Sequence, residues 1–214
     1  MEVSLKVITP NAEQTIVEIA RVSSSRLDKT TVPEKLINYL IKNHHWSPFE
    51  HGYITMEIVT SKAIGIQMLR HRSFTFQEFS QRYAKVTKIE TTEIRRQAVE
   101  NRQSSEEVFN PILNDVACDY RHMLADQAVH DFVRQSQSLY NSLLDAGVAK
   151  ECARMVLPMA ASTTIFMTGS VRSWIHFIKL RDDSHAQKEA QEIACGIKDI
   201  LIKELPIISK ALKW

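Results

Sequence analysis

Residues 67–83 read Gln67-Met68-Leu69-Arg70-His71-Arg72-Ser73-Phe74-Thr75-Phe76-Gln77-Glu78-Phe79-Ser80-Gln81-Arg82-Tyr83. If the helix leading into this run continues to about residue 72, Gln67, Arg70 and His71 fall at i, i+3 and i+4 and share one face. Ile66 and Leu69 then turn toward the core. The part from 73 to 83 is polar and aromatic without a clear period and reads as an ordered loop. Its content is a concentration of anion donors, because each arginine offers a planar fork that matches phosphate oxygens.

Working outward, 53–60 (YITMEIVT) alternates and is rich in β-branched residues, which predicts a strand. Ser61 is placed to cap the helix that follows. Upstream, 4–9 predicts a short strand ended by Pro10, and 11–22 a helix with Ile16, Ile19 and Ala20 on one face. Thr31-Val32-Pro33-Glu34 has capping-box spacing and opens a helix that Ser47-Pro48 must stop after His44. Downstream, Ser104 and Glu107 repeat that spacing and predict one or two long helices ending at Gly147. A further helix begins near Ala149 and is closed by Pro158. Residues 162–168 are β-like. Helices follow at 170–180, burying Val171, Trp174, Ile175 and Ile178, and at 186–205. The fold class is α+β: a single domain over 1–214 with a small mixed or antiparallel sheet and several long helices.

The chain has 214 residues, 44% of them apolar, enough to bury a core without disulfides or a structural metal. No apolar run reaches the ~18 residues that span a bilayer, and the N-terminal MEVSLKVITPN has no signal-peptide core, so no membrane partner is expected. Cys118, Cys152 and Cys195 are odd in number and lack any CxxC, pointing to reduced thiols in a cytoplasm. The five glycines are scattered, which excludes both GxGxxG and GxxxxGK[ST] phosphate loops. Any bound nucleotide must therefore be gripped by side chains. Residues 61–102 carry nine Lys/Arg against four Glu, whereas 103–147 carry two Arg against seven acids and read as a solvated helical face.

Each cluster also has a blander reading. The arginines of 70–82 also fit a wet helix end. His44, His45, His51 and His71 lack helical metal-ligand spacing and a carboxylate cluster, so no metal is expected. His122 and His130 fall in the acidic stretch and face solvent; His130-Asp131 echoes the HD-type metal phosphohydrolases. Phe74, Phe76 and Phe79 beside arginines permit a nucleic-acid stacking surface, but apolar residues at that spacing are more often buried, and no nucleic acid partner is expected. Trp46, Trp174 and Trp214 read as packing or interface residues.

Arg70-His71-Arg72 followed after seven residues by Ser80 resembles the R-H-R-x7-S signature of the flavin-dependent thymidylate synthases. Glu78 and Arg82 sit where that family's longer pattern has its acid and second arginine. His45-Trp46-Ser47-Pro48-Phe49-Glu50-His51 resembles its H-x-[ST]-P-F-E-H segment, and Arg21-Val22-Ser23 its R-V-S. Ala153-Arg154-Met155-Val156-Leu157-Pro158 looks like A-R-x-x-L-P. Arg172 with Leu180-Arg181-Asp182-Asp183-Ser184-His185-Ala186-Gln187 looks like the late R…L-R-x-D-S-H-A-Q element. Only 88–148 carries none of these motifs and looks private to this chain.

The resemblance implies conversion of dUMP to dTMP with 5,10-methylenetetrahydrofolate and reduced FAD, NADPH regenerating the flavin, in a homotetramer with composite sites. It assigns Gln67, Arg70, Glu78, Phe79, Ser80, Gln81, Arg82, Arg154 and Arg181 to dUMP. Ser23, His45, Ser47, Arg70, His71, Arg72, Glu78, Ser170, Arg172, His176 and His185 fall at positions near the flavin or folate. Uracil C5 is a poor nucleophile, and no cysteine lies in a matching motif, so activation must be electrostatic. A guanidinium at the N3–C4=O edge favours the N3-deprotonated ring and pushes density toward C5, a task that falls to Arg181. Ser80 is the other catalytic candidate. A serine nucleophile needs an adjacent base, which its neighbours do not supply, so Ser80 is assigned to holding dUMP. The chain departs from the family where Ser170-Val171-Arg172 replaces Asn-x-Arg, putting one flavin hydrogen bond in question. His176 occupies a place that varies between Asn and His, one turn from Arg172 on the same helix face.

Overall fold

The alternation at 53–60 becomes β2 (Tyr53–Ser61), in which Ile54, Met56 and Ile58 are fully buried while the intervening residues are not. It pairs antiparallel with β1 (Glu2–Ile8). The computed structural model describes residues 1–23, 32–91, 93–115 and 120–214. Cys118 and Thr31, the first residue of the N-terminal capping box, lie outside them. The chain folds as two compact units. The first comprises Met1–Val59, Met68–Gln77 and Ile165–Trp214, the second Thr60–Gln67 and Glu78–Thr164.

In the first unit, α1 (Ala12–Ala20) runs into a 3-10 turn at Arg21–Ser23, and α2 (Pro33–Lys42) begins with proline at its first position, where the missing N–H costs nothing. A second 3-10 turn, Ser47–His51, leads into β2. The sheet order is β1-β2-β8-β3, with β8 at Ser162–Ser170 and β3 at Thr75–Glu78. Strand β3 corrects the expected loop: its partner β8 lies far along the chain, so local periodicity could not show the pairing. After β8 come α6 (Val171–Arg181), α7 (Lys188–Glu204) and α8 (Pro206–Leu212). Sequence patterning missed α8 as a separate helix. The four apolar residues expected to be buried on α6 are buried, Val171 and Trp174 completely.

Gly169 explains how β8 meets the aromatic core. A Cβ there would lie 2.4 Å from the Phe74 ring, so only glycine lets that ring lie against the strand. Phe74 then meets Trp174 edge-on, with centroids 4.7 Å apart, and Trp174 donates its indole N–H to the Ile54 carbonyl at 3.1 Å. Phe74 is therefore core rather than a stacking surface.

The second unit holds most of α3 (Lys62–Leu69), whose Ser61 hydroxyl accepts the Ile64 N–H at 3.4 Å as an N-cap does. The helix stops at Leu69, three residues short of expectation. The chain turns there, with the His71 N–H on the Met68 carbonyl and the Phe74 N–H on the His71 carbonyl. Gln67, Arg70 and His71 consequently do not share a helix face.

The largest departure lies at 104–147. Two hairpins occupy its first part, β4 (Arg95–Gln97) with β5 (Ser105–Val108), and β6 (Ile112–Asp115) with β7 (Tyr120–Leu124); helix α4 is confined to Ala125–Asp145. The groups of the apparent capping box are used otherwise. Ser104 accepts from the Asn101 amide at 2.7 Å in a tight turn, and Glu107 pairs across the hairpin with Arg96 at 2.6 Å. His122 accordingly sits in β7 with a left-handed φ of 57°, not in a helix. Helix α4 ends at Gly147 as expected. Its φ of 85° permits a Schellman closure, Val148 N–H to the Leu143 carbonyl and Gly147 N–H to that of Leu144. Tyr140 of α4, Val86, Ala153 and Ala161 form this unit's buried core, with Phe79 packed against it. Next comes α5 (Lys150–Ala153), continued by a 3-10 turn at Arg154–Val156.

Candidate active site

Within the first unit, His71 and Arg181 meet directly: the Arg181 Nε–H donates to His71 Nε2 at 3.0 Å. The imidazole is wedged edge-on against Phe177, centroids 4.9 Å apart, and beside Phe74 at 6.3 Å. Burial, then the Arg181 charge and that of His176, push the His71 pKa down to about 4. Burial and the neighbouring Arg70 charge lower the Arg181 pKa as well. The Arg70 charge therefore bears on Arg181, a field that an anion relieves.

A cleft of about 530 Å³ in the same unit is lined by His44, Trp46, Glu50, Ser73, Arg172, Ser173, Ile175, His176 and Lys179. Trp46 and Ile175 provide apolar surface and Arg172 and Lys179 fixed positive charge. Glu50 organises the wall. One carboxylate oxygen accepts from Arg172 Nη1 at 2.8 Å, the other from Ser170 Oγ at 2.5 Å. Ser170 Oγ also accepts the Ser173 N–H at 3.2 Å and so caps α6. The Ser170 hydroxyl is thereby committed to holding the wall together. Sequence reasoning found Arg172 and His176 but passed over Lys179. The signal was present, since 172, 176 and 179 lie at i, i+4 and i+7 on one helix face.

Other candidates stand apart from this cleft's lining. His45 is exposed, its ring edge-on to Tyr39 at 5.7 Å, and Ser47 opens the 3-10 turn. Arg70 and Arg72 are exposed in the turn after α3. His185 is exposed and paired with Asp183 at 2.7 Å. Ser23 ends its 3-10 turn, and its side chain lies outside the described set.

The second unit carries Gln67, Glu78, Phe79, Ser80, Gln81, Arg82 and Arg154. Glu78 is clasped: Lys62 Nζ lies 2.7 and 2.8 Å from its two oxygens, and the Thr163 hydroxyl donates to it at 3.0 Å. Neither Lys62 nor Thr163 was legible as a site residue, because each reaches Glu78 from a remote segment. Arg82 forms an exposed pair with Glu151 at 3.1 Å, worth at most about 1 kcal/mol, so a stronger anion can claim it. Ser80 is exposed in the same stretch, and Arg154 half-buried.

Among the described residues, no three His, Cys, Asp or Glu side chains gather as a metal site. Asp131 of the HD pair is engaged by Arg134 at 3.2 Å. No described helix is long and apolar enough to cross a membrane.

The family profile described as thymidylate synthase complementing protein matches residues 4–207. A probable flavin-dependent thymidylate synthase of Paramecium bursaria Chlorella virus 1 is 43% identical over 206 residues, 95% of this chain and 91% of the relative. The flavin-dependent thymidylate synthase of Synechocystis sp. (strain ATCC 27184 / PCC 6803 / Kazusa) is 43% identical over 202 residues, 94% of this chain and 90% of its own. That of Thermosipho africanus is 36% identical over 194 residues, covering 89% and 81%. The family match at 4–207 runs through residues 88–148.

Proposed function

Because the chain belongs to the thymidylate synthase complementing protein family, we propose that it is a flavin-dependent thymidylate synthase acting on dUMP. The methylene of 5,10-methylenetetrahydrofolate supplies the carbon, FAD is the flavin, and NADPH is the reductant. The observation that carries the reading is the cleft of Arg172, Lys179, His44 and His176 around Trp46 and Ile175. Its volume of about 530 Å³ falls in the range of small-molecule sites, roughly 300–1,000 Å³. A planar ring finds apolar surface there, and phosphate oxygens find cations in place of a glycine loop. Those residues fit a flavin dinucleotide, which when bound supplies the hydride.

In this reading Arg70, Ser80, Gln81, Arg82 and Arg154 are residues that hold the dUMP phosphate and sugar, and Gln67, Glu78 and Phe79 are further dUMP-binding residues. Arg181 meets the N3–C4=O edge of uracil. Its guanidinium is half-buried, so its field on the ring is less screened than in water. Of the two described thiols, Cys152 is exposed on α5, and burial together with Asp182 pushes the Cys195 pKa up, opposite to an activated nucleophile.

Residues 1–214 are read as a single catalytic domain, in a cytoplasmic homotetramer. Free Cys152 and Cys195 are consistent with a reducing compartment. Val129, Phe132 and Leu139 form an exposed apolar stripe on α4, as a subunit interface requires. The purified protein is expected to be yellow and to bleach when NADPH is added without oxygen; a colourless protein that cannot be loaded with FAD contradicts the assignment.

A further inference from the structure

We propose that His71 is the positioning residue of Arg181: its neutral imidazole, protonated on Nδ1, accepts the Arg181 Nε–H and fixes the plane in which the guanidinium meets the uracil ring. The inference rests on the reading of Arg181 as the group that activates uracil.

The geometry leaves one hydrogen-bond assignment. Arg Nε carries a proton at all working pH values and only donates, so the 3.0 Å contact needs a lone pair on His71 Nε2. The ring is held from several sides. Phe177 and Arg181 lie four residues apart on α6, so one helix face gives the imidazole both its wall at 4.9 Å and its donor. Phe74 closes another side at 6.3 Å, and the backbone is pinned by the Met68 carbonyl before His71 and the Phe74 N–H after it. With Nε engaged, rotation of the guanidinium about its last side-chain bond is restrained, and the directions of its terminal N–H groups follow from the ring. A carboxylate in the same place would orient Arg181 equally well but cancel its charge. A neutral acceptor orients it without adding a countercharge of its own. The protonation behaviour agrees, since burial, Arg181 and His176 all oppose a second proton on His71.

The test uses the full-length protein and two substitutions. His71→Phe keeps the aromatic contacts and removes the acceptor, whereas His71→Gln returns a carbonyl acceptor near the position of Nε2. Turnover of dUMP per bound flavin is expected to fall roughly ten- to a hundredfold in His71→Phe, the loss of one hydrogen bond to a charged group, with kcat affected more than KM. His71→Gln is expected to recover most of that loss. Full activity in His71→Phe, or His71→Gln as poor as His71→Phe, overturns the proposal. A second measurement needs no variant to fold well: nitrogen NMR of the ¹⁵N-histidine-labelled parent at neutral pH, with His71 assigned by its disappearance in either variant. An unprotonated Nε2 and a protonated Nδ1 are expected; the opposite tautomer or a cationic ring overturns it. Arg181→Ala separates the two claims. If that variant still makes dTMP, the reading of Arg181 fails; if it is inactive while His71→Phe is fully active, the reading stands and the positioning role fails.

Discussion

Glu50 reaches from the 3-10 turn before β2 to the first turn of α6, where its carboxylate joins Arg172 at 2.8 Å and Ser170 at 2.5 Å. One acid thus aims a cation into the cleft and secures the residue that starts the helix carrying it. The Arg172–Glu50 pair is about half exposed, so it contributes little to stability. Its value is directional.

Glu50→Ala is therefore expected to weaken FAD binding about tenfold, the scale of one disturbed charge-assisted hydrogen bond. Thermal stability is expected to change by much less than a core substitution would cause. Flavin titration followed by fluorescence, alongside a melting curve, checks both; unchanged FAD affinity would remove Glu50 and Arg172 from the flavin site.

Ser170→Ala removes the cap of α6 and the donor to Glu50 together. Loss of an N-cap costs about 1 kcal/mol, and the stranded carboxylate oxygen adds to it, so a loss of roughly 1–2 kcal/mol is expected in urea denaturation. Ser170→Asn, which keeps a capping oxygen, is expected to lose less.

Replacing Cys118, Cys152 and Cys195 together by serine is expected to leave measurable dTMP formation. The raised Cys195 pKa marks a thiol that resists ionisation. A folded but inactive triple variant would point to a thiolate attacker on C6.

The buried, neutral His71 also sets a pH dependence of stability. Its pKa moves from 6.5 in the unfolded chain to about 4 in the folded protein. Below pH 6.5 the unfolded chain takes up a proton that the folded protein resists. The contribution is thus complete above pH 6.5, declines as the pH falls, and levels off below about 4. Solvent screening of a half-exposed ring brings it to the order of 1 kcal/mol. Urea midpoints at pH 7 and pH 5 are expected to differ less in His71→Phe than in the parent.

What the sequence disclosed follows from the range of the forces involved. Strand β2 and helix α6 announce themselves because alternation and a 3.6-residue repeat are written locally, and both elements bury the residues those patterns select. Ser104 and Glu107 misled because their spacing serves a helix cap and a hairpin equally, and the choice was made by Asn101 and Arg96, partners outside the motif. Strand β3 depends on a neighbour distant in sequence and has no period of its own. The arginines of 70–82 stood out as forks suited to phosphate oxygens, whereas Arg154, Arg172 and Arg181 stood out only through the family resemblance. Glu78 was legible too, but its clasp by Lys62 and Thr163 arises only when remote segments meet. The His71–Arg181 hydrogen bond spans 110 positions and was equally hidden.

The most direct measurement supplies the purified protein with 5-tritiated dUMP, 5,10-methylenetetrahydrofolate and NADPH, with and without FAD, and follows both released tritium and dTMP. Tritium release and dTMP are expected together, and only when flavin and reductant are both present. Equal dTMP formation by flavin-free protein, or none in the complete mixture, would contradict an arginine-gripped, flavin-dependent methylation of dUMP.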